Sequence, residues 1–391
     1  MPRNRVIYQS EALYVSSGAN STTSGHHYQL DRVQSANYNF NIARQDINQF
    51  GELARIDSIA LESPTVSLDF SYYLTDGANE QSLGFYVPTG ASQTQSQFPS
   101  GQLVDGSGQN FYIVTTSEGF DLNAETGLAG GLANALSGKS AIGIGNAYLT
   151  DYTVDLSVGS IPTVSVSFEG SNMNAFTFSS GNSGQSAGIN QASGTRLTPL
   201  IQLAQPNSQT GSTIVSALRP GDVTISFGSF TGATATGASG IGGFAELNQA
   251  SASGIHIQSA SLSLPLGRTP IERLGSRYAF ARTVDFPINA TLSVNGVQND
   301  LGSGSLIDLI NNNPKSDITI TINKPTMIGS TAIPAVRYTM KNAQLDSVGY
   351  SSSIGANKTI DLTFSTQIGG ANDTANGIQM SGSYSGTTIY S

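Results

Sequence analysis

The sequence predicts a mainly β protein: two tandem, internally duplicated antiparallel units of β-sandwich or open-barrel type, with one or two short helices. Three observations predict it. Apolar and polar residues alternate strictly in segment after segment, turn residues separate those segments, and the pattern is repeated across the two halves of the 391 residues. Alternation at period two places one face of a strand on a core and the other in water or against a partner. Antiparallel sheets tolerate a wet face, whereas parallel sheets rarely do.

Taken in chain order, Val66, Leu68, Phe70 and Tyr72 point to one side of a strand, and Thr65, Ser67, Asp69 and Ser71 to the other. Val164, Val166 and Phe168 alternate in the same way with Thr163, Ser165, Ser167 and Glu169. Ile360, Leu362 and Phe364 alternate with Thr359, Asp361 and Thr363. Asp76-Gly77, Pro220-Gly221-Asp222 and Asn295-Gly296 are turn signals between such runs, and Arg219 to Asp222 reads as a hairpin turn. Helical signals are few. Residues 305–310 have the spacing of a short amphipathic helix, stopped by an Asn-rich stretch and Pro314. Residues 127–136 are a weaker candidate, because each interior glycine costs about 1 kcal/mol. A further short helix is expected near Leu200-Ile201-Gln202-Leu203.

The chain is written twice. Residues 146–168 lie without a gap on residues 342–364, with Asn146, Ala147, Leu149, Ser157, Gly159, Thr163 and Phe168 matched by Asn342, Ala343, Leu345, Ser353, Gly355, Thr359 and Phe364. Earlier in each half, Val33-Gln34-Ser35-Ala36 answers Ile257-Gln258-Ser259-Ala260. At the same offset Arg44 falls on Arg268, Ile47 on Ile271 and Gly51 on Gly275, and a small gap then lays residues 66–72 on 288–294. Shared Ser/Thr/Gly composition supplies single identities, but not two collinear blocks of this kind. The expected organisation is a first β domain at 1–171, a polar linker or surface excursion at 172–212, and a second β domain at 213–391. Within the second, the plain Gly/Ala/Thr stretch 228–243 is expected to be a long loop that gains order from a neighbour.

Composition excludes several functions. Only 11% of residues are charged and the net charge is −9, so a nucleic acid is repelled rather than gripped. There is no cysteine and there are three histidines, which leaves no disulfide framework and no zinc ligand set. Residues 223–245 are uncharged but too poor in apolar side chains to span a bilayer, and the first residues are not followed by an apolar export core; a soluble chain is expected.

Chemistry is sought and not found. Gly240, Gly242 and Ala245 satisfy a loose dinucleotide fingerprint, but no apolar strand precedes them. Asp121, Asn123 and Glu125 alternate like calcium ligands without the closing glutamate; a polar turn is the favoured reading and a bound cation the alternative. His26-His27 sits in a Ser/Thr/Gly segment and is expected to be a solvated loop. No nucleophile elbow or phosphate loop occurs. The chain is therefore read as non-enzymatic, with no cofactor and no metal.

Two similar β units leave sheet edges exposed unless something pairs with them, and ring closure removes such edges. Three duplicated chains present six similar units, a trimer with pseudo-sixfold symmetry. Residues 45–51 leading into 64–72, then 145–152, 158–170, Leu218-Arg219-Pro220-Gly221-Asp222 and Leu264-Pro265-Leu266-Gly267-Arg268 resemble the major tail tube proteins of long, flexible-tailed bacteriophages. The resemblance covers most of the chain outside 172–212, and its motifs are structural. It implies two tube-type domains and homotrimeric rings that stack into a hollow tail tube conducting double-stranded DNA without specific binding. It also implies tape-measure, terminator and distal tail partners, assembly in the host cytoplasm and a place in the virion. No immunoglobulin-like decoration domain is expected after the second unit, a departure from some members of the family.

A polar, weakly acidic wall suits DNA that must slide, because it repels phosphate. The polar strand faces bearing Asp69, Asp155, Glu169 and Asp361 are the candidates for that lumen wall. Alternation establishes the polar face, and an outward, solvent-facing placement is the alternative. The rival functions are a trimeric β-rich adhesin or fibre module, which would bind glycan through its loops, and a single-ring neck or decoration protein. A hydrolase comes last.

Overall fold

Each alternating run is a strand with its apolar side buried: Val66, Leu68, Phe70 and Tyr72 are each at most 3% exposed. The computed structural model describes residues 11–16, 27–88, 97–104, 108–116, 122, 136–178, 183–191, 193–197, 200–203, 217–228, 255–298, 315–325 and 333–384. The first unit runs β1 (Glu11–Ser16), β2 (His27–Gln29), β3 (Val33–Asn41), β4 (Arg44–Ile47), β5 (Asp57–Ala60), β6 (Thr65–Tyr73), α1 (Ala78–Ser82), α2 (Ser100–Val104), β7 (Gln109–Thr115), β8 (Ser140–Ser157), β9 (Thr163–Gly170) and β10 (Asn172–Thr177). Four short strands follow: β11 (Ser183–Gln185), β12 (Ile189–Asn190), β13 (Thr195–Arg196) and β14 (Leu200–Gln202). The second unit opens with a 3₁₀ turn at Pro220–Asp222. It continues through β15 (Val223–Phe227), β16 (His256–Pro265), β17 (Arg268–Ile271), β18 (Ala281–Val284), β19 (Ile288–Val297), β20 (Lys315–Asn323), β21 (Pro334–Ser351), β22 (Thr359–Ile368) and β23 (Gly377–Gly382).

Nine strands of the first unit, β1 and β3 to β10, have counterparts in the second, β15 to β23. The first unit carries the antiparallel ladder β3-β6-β9-β8 and the second β16-β19-β22-β21. The pairs β1–β7, β7–β8 and β10–β8 have the counterparts β15–β20, β20–β21 and β23–β21. Hairpin β4–β5 answers β17–β18. Even the irregularities match. The register shifts between Val33 and Ser35 as it does between Ile257 and Ser259, and between Leu149 and Asp151 as between Leu345 and Ser347.

The long strands β8 and β21 change partners along their length. Residues 140–145 of β8 pair with β10 and residues 148–155 with β9. The change falls where the register with β7, and in the second unit with β20, shifts at a bulge, which bends a strand and raises its twist. Within it, Asn146 and Asn342 take φ of 51° and 49°, a left-handed conformation that asparagine adopts more readily than other β-carbon residues. The bend lays the β1–β7 layer over the β6–β9 layer, so that Phe111 meets Phe168 edge-on at 4.6 Å and Phe70 at 5.9 Å. One large core spans both units, and a smaller one forms around Tyr14, Tyr112 and Phe178.

Residues 151–157 of β8 also pair with β16. The two ladders therefore fuse into one continuous eight-stranded run, with β3 and residues 345–351 of β21 at its two edges.

Four local expectations are corrected. The strand at 66–72 needs no gap to meet its counterpart: Phe70 is paired with Ala36 as Val294 is with Ala260, so the repeat lies two residues further on. Alternation is blind to a slip of two, which is why sequence pattern allowed it. Asn295-Gly296 is not a turn but lies inside β19, where a side chain at Gly296 would strike Ile255 at 2.4 Å. Leu200–Gln202 is a strand, not a helix, pairing with β11. Arg219 to Asp222 is a 3₁₀ turn leading into β15, closed by an Arg219–Asp222 ion pair of 2.8 Å, rather than a hairpin. The stretch read as a linker from 172 opens with β10. The helix candidates at 127–136 and 305–310 lie outside the described residues, apart from Leu136, which is in a turn.

Candidate functional site

The eight-stranded run has one face on the core and one polar face. Asp69, Asp155, Glu169 and Asp361 all lie on the polar face, each alternating with buried core residues. Asp69 stands between Asn37 and Ser167 on the neighbouring strands. Asp155 accepts a hydrogen bond from the Ser261 hydroxyl at 2.7 Å, and Asp361 accepts one from the Asn295 amide. Glu169 sits at one end of the run, ion-paired with the buried Arg282 of β18. Asp151, which sequence reasoning did not single out, accepts from Thr153 at 3.1 Å, and burial pushes its carboxyl above the usual range. The strands β3, β6, β9, β16, β19 and β22, with residues 148–157 of β8 and 343–351 of β21, contain no Lys or Arg. The face is one of hydroxyls, amides and carboxylates.

The seam between the units is the second feature. Ala260, Leu262 and Leu264 of β16 oppose Leu156, Val154 and Tyr152 of β8, and all are buried. At one end Arg268 donates to the carbonyls of Leu149 (3.4 Å), Gln102 (2.6 Å) and Arg282 (3.2 Å), with its guanidinium 5.3 Å from the centre of the Tyr148 ring. Arg282 lies 5.9 Å from the same ring. The Ser276 hydroxyl, which donates to the Tyr278 carbonyl at 2.7 Å, also lies 3.3 Å from the Gln191 carbonyl. The β17–β18 hairpin thus clasps the first unit.

The two edges of the run are the third feature. Positions buried in the seam are open on β3 and β21: Phe40, the counterpart of Leu264 (0% exposed), is 60% exposed. Tyr350, the counterpart of the buried Val154, is 42% exposed. The ends of the run are apolar too. The hairpin β4–β5 presents Phe50 and Leu53, and β17–β18 presents Leu274, all fully exposed. The β8–β9 and β21–β22 turns at the opposite end present Val158, Ile161 and Ile354.

A buried polar cluster joins the units and gave no sequence signal. Glu80 of α1, 1% exposed, accepts from the hydroxyls of Tyr72 (2.9 Å) and Tyr152 (3.3 Å), and Tyr152 bonds Tyr338 of the second unit at 2.8 Å. Burial pushes the Glu80 carboxyl up to about 7, with the Asp76 charge adding to it and hydrogen bonds opposing. Burial likewise drives the Tyr72, Tyr152 and Tyr338 hydroxyls upward, so all three stay neutral donors and acceptors.

The remaining sequence candidates do not assemble into a site. His27 is buried rather than solvated, because it opens β2 opposite Ser16 and its ring packs 6.0 Å from Tyr112. His26, Asp121, Asn123, Glu125 and the stretch 229–254 lie outside the described residues. Among the described residues no group of three or more His, Asp or Glu is placed to hold a metal ion, and no helix is long and apolar enough to cross a membrane.

No protein-family model matches the chain, and no curated protein matches it. Among solved structures, it is similar to a chain of the sixfold-symmetrised cryo-EM structure of the anti-feeding prophage baseplate, at 13% identity and a TM-score of 0.20. That match covers 33% of this chain and 80% of the other.

Proposed function

We propose that this chain is a structural virion protein that polymerises as stacked trimeric, pseudo-hexameric rings into the hollow tail tube of a long-tailed bacteriophage, through which DNA passes during ejection. The observation that carries the reading is the internal seam. One unit joins the next edge to edge through β8 and β16, and among the described residues the same two kinds of edge recur without a second neighbouring strand, as residues 345–351 of β21 and as β3. The run is antiparallel throughout, so β21 of one copy meets β3 of the next in the same sense as β8 meets β16. Such a contact is head-to-tail, and closing it into a ring consumes both exposed edges. Six units around the ring need three chains.

The polar face then lines the bore. Every strand in the run offers it hydroxyl, amide or carboxylate groups and no cation, so Asp69, Asp155, Glu169 and Asp361 belong to a wall that repels phosphate. The apolar hairpin tips at one end and the apolar turns at the other supply faces for ring stacking, since solvent-exposed residues of this kind mark contact sites. Tape-measure, terminator and distal tail proteins are the expected partners at the lumen and tube ends.

Negative-stain microscopy across a concentration series, paired with light-scattering mass, tests this. Hollow rings or tubes with threefold or pseudo-sixfold end views are expected. A discrete solid trimer that never stacks overturns the reading in favour of a fibre or adhesin, and a lone ring in favour of a neck or decoration protein.

A further inference from the structure

The exposed edges carry more than an invitation to pair: the internal seam dictates how. We infer that β21 of one copy joins β3 of the next in the register of the β8–β16 seam, setting Asn37 opposite Ser351, Tyr38 opposite Tyr350 and Phe40 opposite Val348. Ile354 then seats beside a groove on the second copy, and Arg44 latches onto the Leu345 carbonyl. This rests on the ring reading above and deepens it to named residue pairs.

The register follows by substitution. In the seam Ser261 faces Asp155, Leu262 faces Val154 and Leu264 faces Tyr152. The second-unit strand β16 maps onto β3 through Ala260 and Ala36, which pair identically with β19 and β6. The first-unit strand β8 maps onto β21 through the shared bulge and the left-handed asparagines. Replacing each seam residue by its counterpart gives the pairs above. Tyr38 with Tyr350 and Phe40 with Val348 conserve apolar cross-strand contact on the core side, while Asn37 and Ser351 conserve polarity on the other.

A groove provides independent support. Beside β3, a cavity of about 160 Å³ opens between Leu13, Val33 and Ala36. The equivalent groove of the second unit, between Ile225, Ile257 and Ala260, is about 60 Å³, and Leu156, Ser157 and Val158 of the preceding unit form part of its wall. The counterparts of those three are Ser352, Ser353 and Ile354. Ile354 is fully exposed in the single chain, whereas Val158 beside its groove in the internal seam is 67% exposed. The backbone N–H of Val158 donates to the Gln258 carbonyl at 2.9 Å, so Ile354 N–H is assigned the Gln34 carbonyl.

The latch is the part of the internal clasp that the repeat kept. Arg268 bonds the Leu149 carbonyl, and Arg44 and Leu345 are their counterparts. The rest is missing at the outer edge. Ser58 stands where Arg282 does, Ser365 where Glu169 does, and Gln344 where Tyr148 does. The internal seam thus has a half-buried ion pair and two arginines on one ring, whereas the seam between copies has one arginine. The inter-copy contact is the weaker of two otherwise equivalent joints, as suits one that must wait for assembly.

The chain has no cysteine, so engineered pairs report without background. Asn37→Cys with Ser351→Cys in the full chain is expected to give, on oxidation, a covalent ladder ending at a closed trimer on a non-reducing gel. Cross-strand partners lie within the roughly 4.4–6.8 Å Cα separation that a disulfide needs. Asn37→Cys with Gly349→Cys, about 7–8 Å apart on the diagonal, is expected to give none. Asp155→Cys with Ser261→Cys is the internal control, closing without any gain in mass. Arg44→Ala is expected to raise the half-assembly concentration about tenfold, the equivalent of one charge-assisted hydrogen bond. Rings in the wild type, with cross-linking only in the Gly349 variant or in neither variant, overturn this register and leave the ring reading standing. Absence of rings in the wild type overturns both.

Discussion

Glu80 makes the protein's stability depend on pH in a direction opposite to that of most carboxylates. It is held among three tyrosine hydroxyls at the junction of the units, and its pKa rises from the ordinary 4.5 to about 7. The folded state therefore holds the proton more tightly than the unfolded chain. Its contribution is complete below about pH 4.5, declines as pH rises through about 7, and is flat beyond. The interval from 4.5 to about 7, at about 1.4 kcal/mol per pH unit, amounts to about 3 kcal/mol. Glu80→Gln removes the ionisation but keeps a side-chain carbonyl to accept from Tyr72 and Tyr152. The amide brings two N–H donors where the protonated acid has one O–H, so the hydroxyls must reorient to accept the extra donor, at about 1–2 kcal/mol. The variant should therefore be the less stable at pH 5 and the more stable at pH 8. Urea denaturation of the unassembled chain at pH 5, 6, 7 and 8 measures this, followed through the intrinsic emission of its 15 tyrosines in a chain without tryptophan. If the two proteins lose stability in parallel across that window, Glu80 does not titrate there and the reasoning fails.

Phe40→Asp should leave the single chain folded, because the side chain is 60% exposed, while abolishing ring formation by light scattering. Asn146→Ala should cost about 2–4 kcal/mol in denaturation, since it strains a φ of 51° and removes the amide's bonds with both the carbonyl and the N–H of Ile189; recovery of most of that loss by Asn146→Gly would show that only backbone strain matters. Glu169→Gln should cost about 1–2 kcal/mol, discounted for its exposed side, and should make stability less sensitive to salt. Gly145→Ala would place a methyl 2.0 Å from the Ala187 carbonyl oxygen, so limited proteolysis within 183–203 should accelerate; an unchanged cleavage pattern would show that the segment yields without cost.

What the sequence determined by itself is local and repetitive. Period-two alternation marks each strand and its buried side, because backbone pleating alone turns successive side chains to opposite faces. The duplication was legible in the identities that backbone geometry demands: Asn146 and Asn342, Gly51 and Gly275, and Gly159 and Gly355 are matched pairs, and all six have positive φ. The shared polar face of Asp69, Asp155, Glu169 and Asp361 was legible for the same reason. Only the tertiary structure decided which strands share an edge. Alternation is unchanged by a slip of two residues, so the pattern laid 66–72 on 288–294 where the ladders place 290–296. Only the tertiary structure brought Glu80 to Tyr152 and Tyr338, and buried His27 against Tyr112. The free energy of a polar side chain depends on what distant segments place around it, and that environment has no periodicity to read. The seam belongs to the same class: two units written alike along the chain acquire a direction of assembly only when β8 and β16 meet and leave β3 and β21 without their counterparts.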